Sequence, residues 1–159
     1  MMTGYTYPFC AVLCLLFMEV SISGLLVNDG RQPCSLCGSP IDVTLTAINE
    51  VREPRFNFTV NLRQTAQREL ILLLQEAAEA DGRFNFTVSY LKGLGFFVEK
   101  INHQVGDWAK DRSWWHTYSE QPGYGAHCEG VSSYVPDHKE SVVFLLTNRT
   151  LSLSRCPQV

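Results

Sequence analysis

The chain has 159 residues and a formal net charge of −3, with 45% hydrophobic and 18% charged residues. A chain of this length and apolar content can bury one substantial core but not two, so we expect a single small domain. The slightly acidic balance lacks the dense Lys and Arg surface that nucleic-acid binding requires.

The first apolar run predicts a signal peptide, and hence a secreted, extracellular protein. Residues 8–18 read PFCAVLCLLFM, which is too short for a membrane-spanning helix, and Ser21-Ile22-Ser23 supplies the small residues that signal peptidase requires. The alternative is a signal anchor over residues 10–27, which would place Glu19 near its centre at a cost of about 2.5–3.5 kcal/mol. We therefore expect residues 1–23 to be cleaved, leaving no membrane span.

Four cysteines follow the predicted cleavage site: Cys34 and Cys37, in an N-terminal segment over residues 24–40, and Cys128 and Cys156. An even number in an oxidising compartment predicts two disulfides, with three pairings open. A zinc site would need a second close pair, whereas the last two cysteines are 28 residues apart. We therefore expect disulfides and no metal site.

Three N-glycosylation sequons agree with secretion. They begin at Asn57, Asn85 and Asn148. Each motif is weak alone, because a chain of this size often contains one by chance. Together with the signal peptide they predict a glycoprotein.

The predicted domain, residues 41–159, begins with strands. Residues 41–45 alternate apolar and polar side chains, which is typical of a strand with one wet face. The hexapeptide RFNFTV then occurs twice, at residues 55–60 and 83–88, and each copy alternates in the same way, with Asn and Thr on the outer face. The flanks of the two copies share nothing, so we interpret them as two similar strands and not as a repeat.

Residues 64–81, between the two copies, predict a helix with an acidic, solvated face. Gly82 is placed to end this helix as a left-handed cap. The apolar stripe of the helix falls at i, i+3, i+4 and i+7 and consists of Leu70, Leu73, Leu74 and Ala77.

Four further strands are predicted downstream, with a polar loop over residues 102–112. These strands cover residues 96–101, 114–118, 131–134 and 142–146. One helix packed on an antiparallel or mixed sheet makes an α+β domain, which we expect to be β-grasp-like.

Motifs for catalysis are missing from the sequence. It has no nucleophile elbow, P-loop, GxGxxG or HExxH motif, and its four histidines lack ligand spacing. A thiol oxidoreductase that uses Cys34 and Cys37 is the least favoured interpretation, because the βαβ pattern that accompanies such a motif is missing. We expect no enzyme activity, no catalytic residue and no catalytic cofactor.

The tandem Trp114-Trp115 is the most distinctive aromatic feature. Adjacent side chains of a strand face opposite sides, so one ring can lie in the core while the other is presented to a partner. An interpretation in which both rings are buried is equally supported, because Trp is usually highly buried. Tyr124 lies between two glycines of a Pro- and Gly-rich hairpin, where it can reach a partner.

The order of several short motifs resembles a known family. These motifs are Phe84-Asn-Phe-Thr, Gly95-Phe-Phe-Val98 leading to Ile101-Asn102, the tandem Trp pair, and Gly130-Val-Ser-Ser-Tyr-Val-Pro136. In this order they are similar to the C-terminal small β domain of the cobalamin carriers, the family of transcobalamin, intrinsic factor and haptocorrin. The likeness spans residues 41–150.

The resemblance implies a non-catalytic, transport-type protein that binds cobalamin (vitamin B12), with its cobalt, or another corrinoid. In that family the small domain closes over the upper face of the corrin, opposite a helical barrel that has no counterpart in this sequence. One face buries less than half of the ligand, so we expect weaker binding than in the carriers. The ligand contacts implied by position are Gly93, Leu94, Val98, Trp115, Thr117, Tyr118 and Tyr124.

The main alternative is an extracellular protein-interaction module that has the same fold and has lost vitamin binding. Its partner would be a receptor or a separate helical-barrel chain. A histidine, His116 or His127, is a less favoured cobalt ligand, because exposed loop histidines usually face water.

Overall fold

The structure is a computed structural model that describes residues 38–123, 125–127 and 129–149. The elements in chain order are β1 (Pro40–Asn49), β2 (Phe56–Ala66), α1 (Leu70–Ala80), a 3-10 turn (Gly82–Phe84), β3 (Phe86–Leu91), β4 (Gly95–Ile101), β5 (Gln104–Val105), α2 (Trp108–Asp111), β6 (Trp114–Ser119), β7 (Gly125–Ala126) and β8 (Glu140–Thr147). Neither helix of these described ranges has the length and hydropathy needed to cross a membrane.

The strands form two sheets. The larger sheet has the order β2-β1-β8-β6-β7, in which β1 and β8 run parallel and the other neighbours run antiparallel. The smaller, antiparallel sheet has the order β3-β4-β5. This sheet-dominated arrangement with one 11-residue helix is compatible with the predicted α+β class.

The core lies between helix α1 and one face of the larger sheet. Strand β1 buries every second side chain from Ile41 to Asn49, because alternate residues of a strand share a face. Val98 and Ile101 of β4 join the same cluster. The predicted helical stripe is confirmed, since its four residues are completely buried: Leu70, Leu73, Leu74 and Ala77.

The two copies of RFNFTV fold differently. The first copy lies in β2 from Phe56 onward, as predicted, whereas the second begins in the 3-10 turn and enters β3 only at Phe86. The Asp81 side chain accepts from the Arg83 amide and shapes this turn. The prediction of a strand from the start of the second copy is therefore wrong.

Helix α1 is shorter than its sequence pattern predicts. Residues 64–66 complete strand β2, because Ala66 pairs with Pro40 and the Gln64 amide donates to a carboxylate oxygen of Asp42. The predicted left-handed cap is also wrong, since Gly82 begins the 3-10 turn that follows the helix. Tertiary pairing with β1 thus decides where β2 stops and where the helix can begin.

The strands predicted at residues 41–45, 96–101, 114–118 and 142–146 are confirmed. The predicted loop at residues 102–112 instead contains β5 and the short helix α2. Both are too short to produce a readable periodicity.

Residues 130–134, here called the bridging segment, do not form the predicted strand. Their carbonyl groups turn to helix α1: the Leu70 amide donates to the Tyr134 carbonyl over 2.8 Å, and the Ile71 amide donates to the Val131 carbonyl over 2.9 Å. Helix α1 has no side-chain hydrogen bond at its N-cap. These carbonyls therefore satisfy two of the helix amides that lack a partner within the helix.

The bridging segment is also bound to β4 and to the turn before it. The amides of Val131 and Gly130 donate to the carbonyls of Phe96 (2.7 Å) and Leu94 (2.9 Å). In return, the Phe96 amide donates to Ser132 Oγ over 3.0 Å. A Cβ on Gly130 would lie only 2.4 Å from the Phe96 carbonyl oxygen and 2.7 Å from that of Leu94. This close approach requires glycine.

Gly130→Ala should lower the free energy of unfolding by about 1–3 kcal/mol, because the added methyl group meets two backbone carbonyls. Urea denaturation measures the change. Gly82→Ala is the matched control, since a Cβ there would meet no atom within 4 Å. The control should leave stability unchanged or raise it by up to about 1 kcal/mol. Equal losses in both variants would contradict the close approach at Gly130.

Candidate functional site

Exposed apolar side chains are concentrated on the hairpin formed by β3 and β4. The hairpin patch, as we call it, consists of Tyr90 (63% exposed), Leu91 (47%), Leu94 (41%) and Phe96 (37%). Tyr90 and Phe96 are in contact, whereas Leu91, next to Tyr90 on β3, projects to the other face of the hairpin. Exposed apolar side chains grouped in this way are typical of a binding site.

Tyr90 and Phe96 form the centre of the hairpin patch. They lie directly opposite each other in the antiparallel register, with ring centroids 5.4 Å apart and an edge-to-face angle of 67°. Their rings share the face on which Val88 and Val98 are paired farther along the hairpin. Val98 is buried and belongs to the core. The patch is therefore the uncovered continuation of a core face.

The turn between the two strands leaves one end of the patch open. Gly93 and Gly95 have φ values of +83° and +88°, in the left-handed region that favours glycine. No atom lies within 4 Å of a Cβ placed on Gly93. A ligand can therefore approach the backbone closely at this position.

Hydroxyl groups border the other side of the turn. A Cβ on Gly95 would lie 2.4 Å from Ser132 Oγ and 3.2 Å from Ser133 Oγ. The bridging segment thus places two polar groups beside an apolar surface. An apolar surface with a few polar groups at its edge is the usual composition of a small-molecule site.

The structure brings only some of the implied ligand contacts together. Gly93 and Leu94 lie at the hairpin patch, whereas Val98 is buried beneath its inner end. Thr117 and Tyr118 are half-buried neighbours on β6, so their side chains project to opposite faces of the larger sheet. A flat ligand on one side cannot contact both of these side chains.

Trp115 lies in the core and not on a ligand surface. It is 6% exposed, its ring stacks 6.3 Å from that of Phe56, and its Nε1 donates to the Gln104 carbonyl over 3.0 Å. Trp114 is half-buried on the opposite face, with its ring 5.5 Å from that of the exposed Trp108. The tandem pair therefore has one core ring, and the ring on the outer side is Trp114.

Trp115→Phe should lower the free energy of unfolding by about 1–3 kcal/mol, because it leaves a cavity and removes the partner of the Gln104 carbonyl. Trp108→Phe is the control at a ring that is 57% exposed, and it should cost less than about 0.5 kcal/mol. Urea unfolding followed by circular dichroism compares the two. A larger loss in the Trp108 variant would reverse the assignment of core and surface rings.

Several predictions fall on residues outside the described part of the chain. They are the signal cleavage site, the contact at Tyr124, and the disulfides of Cys34, Cys37, Cys128 and Cys156. These stay predictions.

The three sequon asparagines are described. Asn57 and Asn148 are exposed, whereas Asn85 is half-buried and donates its amide hydrogen to the Gly82 carbonyl over 2.8 Å.

Two of the histidines are buried. His116 is 7% exposed, and the side chain of His127 is 4% exposed. Burial lowers the pKa of His116 below its ordinary value. Burial, and to a smaller extent the nearby His116, lowers the pKa of His127 to about 4. Both imidazoles are therefore mainly neutral at pH 7, and both ring nitrogens of His127 are buried.

Tyr90 and Phe96 are the site residues that sequence reasoning missed. A signal was available, because they flank the turn at residues 92–94 at positions that lie opposite each other in a hairpin. Among the described ranges, no group of three or more His, Cys, Asp or Glu residues is arranged to hold a metal ion.

Solved structures that are similar to this chain include the following two. Haptocorrin in complex with Cbi matches with a TM-score of 0.49 and 17% identity over 67% of this chain, which spans 25% of the haptocorrin chain. A protein from Ruminococcus gnavus ATCC 29149, provisionally described as a metal binding protein, matches with a TM-score of 0.49 and 13% identity over 67% of this chain and 96% of its own. No family model and no curated protein sequence matches the chain.

Proposed function

We propose that this protein is a secreted, non-catalytic binder of cobalamin or another corrinoid, and that the hairpin patch contacts the upper face of the corrin. The observation that carries the proposal is the exposed Tyr90–Phe96 pair beside the open turn at Gly93. The ordered motifs that resemble the cobalamin carriers support the same ligand.

The chemistry of the patch suits a corrin. A corrin is a broad, largely apolar plate with amides at its rim, and it can lie against aromatic and aliphatic side chains. The backbone at Gly93 is open to one edge of such a plate. The hydroxyl groups of Ser132 and Ser133, beside the turn, are placed to bond with rim amides.

A one-sided contact makes the binding weak. A ligand that covers the large side chains of the patch removes on the order of 300 Å² of apolar surface from water, worth about 7 kcal/mol. Association costs at least about 4 kcal/mol, and each rim hydrogen bond returns about 1 kcal/mol. With two rim hydrogen bonds the net free energy of binding is about 5 kcal/mol, which corresponds to a dissociation constant on the order of 200 μM. A second protein surface on the lower face would be needed for tight binding.

We also infer that the larger sheet and helix α1 form a β-grasp arrangement. Helix α1 follows the β1–β2 hairpin and packs on the sheet, and the neighbouring strands β1 and β8 are parallel. A β-grasp-like fold is also what the predicted order of strands and helix led us to expect.

Titration with hydroxocobalamin up to about 2 mM should give a saturable change in the corrin absorption bands. The double variant Tyr90→Ser/Phe96→Ser should weaken binding at least tenfold, because it removes about 1.4 kcal/mol or more of apolar contact. Val105→Ser/Trp108→Ser is the matched control, since both of its side chains are exposed and lie outside the patch. The control should bind as the unaltered protein does.

Lack of any saturable change with the unaltered protein would remove the ligand proposal. Equal losses in the two double variants would place the ligand away from the hairpin patch. Capture of a receptor or a helical-barrel protein that depends on the patch but not on corrinoid would favour the protein-interaction module instead.

Expression in mammalian cells should deliver the protein to the medium with Ser23 removed and Gly24 as the first residue. Digestion with an N-glycosidase should lower its apparent mass, and the triple variant Asn57→Gln/Asn85→Gln/Asn148→Gln should show no such change. Mass spectrometry of the non-reduced protein should find the four remaining cysteines paired. Retention in the cell with residues 1–23 intact would contradict secretion.

A further inference from the structure

We propose that His127, Tyr134 and Glu140 form an acid-sensitive latch, which loosens the hairpin patch when His127 takes up a proton. A role in ligand release rests on the proposed function. The conformational change itself does not, and it can be measured without a ligand.

The three side chains form a cluster in which Glu140 and the His127 side chain are buried and Tyr134 is half-buried. The His127 imidazole stacks on the Tyr134 ring, with centroids 3.6 Å apart and planes inclined by 23°. The Tyr134 hydroxyl donates to Glu140 Oε1 over 2.5 Å, and the Asp137 amide donates to Glu140 Oε2 over 2.8 Å. Glu140 is completely buried. Both oxygens of its carboxylate therefore have partners.

The His127 imidazole is packed but not hydrogen-bonded. Neither of its ring nitrogens has a hydrogen-bond partner, and Nε2 lies 3.9 Å from Glu140 Oε1, beyond hydrogen-bond distance. The protein tolerates a neutral ring in this position. An imidazolium would add a charge and a second N–H donor at a side chain that is 4% exposed.

Groups from three neighbouring elements act on the His127 ring: His116 from β6, Glu140 from β8 and Tyr134 from the bridging segment. Burial of the ring, and to a smaller extent the charge of the nearby His116, lower the pKa of His127 from its ordinary value of 6.5 to about 4. A lowered histidine pKa means that protons bind preferentially to the open form. The latch is therefore fully stable above pH 6.5 and loses stability as the pH falls toward 4.

Protonation acts on the bond between Tyr134 and Glu140. Glu140 Oε1, which accepts the Tyr134 hydroxyl, is an acceptor within 4 Å of His127 Nε2. If the ring moves about 1 Å to reach this oxygen, it shares the oxygen with the hydroxyl and shifts against the Tyr134 ring, which weakens both contacts of Tyr134. If the ring instead moves into water, it loses its stacking contact with Tyr134. Either movement weakens the attachment of Tyr134.

Release of Tyr134 reaches the hairpin patch through the bridging segment. Tyr134 is the last residue of this segment, and its carbonyl holds the first amide of helix α1. The amides of Gly130 and Val131, at the other end, hold the carbonyls of Leu94 and Phe96, which belong to the patch. Loss of the latch therefore removes support from the hairpin that carries the proposed ligand surface.

Amide hydrogen exchange of the ligand-free protein tests the latch. The exchange rates are first corrected for the intrinsic effect of pH. The equilibrium constant for opening at the amides of Leu70, Ile71 and Val131 should then increase roughly 20-fold between about pH 7 and about pH 5. This factor follows from one proton that binds with a pKa of about 4 in the closed form and 6.5 in the open form. The amide of Leu45, in the centre of β1, is the internal reference and should stay protected.

His127→Phe keeps an aromatic ring against Tyr134 and removes the titrating group, so its exchange should not depend on pH. His116→Phe removes the other buried imidazole. His138→Gln changes an exposed histidine whose Nδ1 accepts from the Asp42 amide over 3.1 Å. Both controls should keep the acid effect. Unchanged protection of the unaltered protein at acid pH, or an acid effect that persists in His127→Phe, would overturn the latch.

A measurement on the unaltered protein makes the test independent of how the variants fold. Nuclear magnetic resonance titration of the His127 ring should give a midpoint below about pH 5. A midpoint near the ordinary value would show that the ring is already in water, which is incompatible with the latch.

The role in release is tested separately with cyanocobalamin. Its affinity for the unaltered protein should be lower at about pH 5 than at about pH 7, by at most the roughly 20-fold change in opening, and that of His127→Phe should not change. If the exchange data show the transition but corrinoid binds at neither pH, the latch is supported and the proposed function fails. Equal binding at both pH values, together with the transition, would overturn the role of the latch in release.

Discussion

The close backbone contact between the bridging segment, strand β4 and the first turn of helix α1 is the constraint on which the rest of the structure depends. A two-stranded hairpin is marginally stable by itself. Here the hairpin is fastened by main-chain hydrogen bonds, and Gly130 permits a distance that no other residue would allow. The same segment satisfies amides at the start of the helix. One short stretch of irregular backbone thus joins the smaller sheet, the helix and the candidate site.

The hairpin patch follows from this attachment. The face of the hairpin that holds Val98 is buried at the inner end, whereas Tyr90 and Phe96 continue the same face beyond the core. Because these rings stay in water, the free energy that their burial would contribute to folding is not gained. In the proposed function this open surface contacts the ligand, and the hydroxyls beside its turn supply directional contacts. Contact on only one face of the ligand limits the affinity. Tight binding would require a second protein surface on the opposite face.

The cluster of His127, Tyr134 and Glu140 loses stability when His127 is charged. Each carboxylate oxygen of Glu140 accepts a hydrogen bond, from the Tyr134 hydroxyl or the Asp137 amide, but the His127 ring next to it has no hydrogen-bond partner. The cluster is therefore stable with a neutral imidazole and strained with a charged one. Since Tyr134 also belongs to the bridging segment, local protonation and the position of the hairpin are physically connected.

The sequence by itself determined the elements with a regular period: the stripe of helix α1, the alternation in β1, and the opposite facing of Trp114 and Trp115. Its motif order also located the turn at Gly93 and Leu94. Only the tertiary structure decided that Trp115 is the core ring, that residues 64–66 extend β2, and that Tyr90 and Phe96 stay uncovered. It likewise decided that His127 is buried beside Glu140. Periodicity reports which side chains share a face of their own element, but burial depends on which distant element covers that face, and no local pattern encodes that contact.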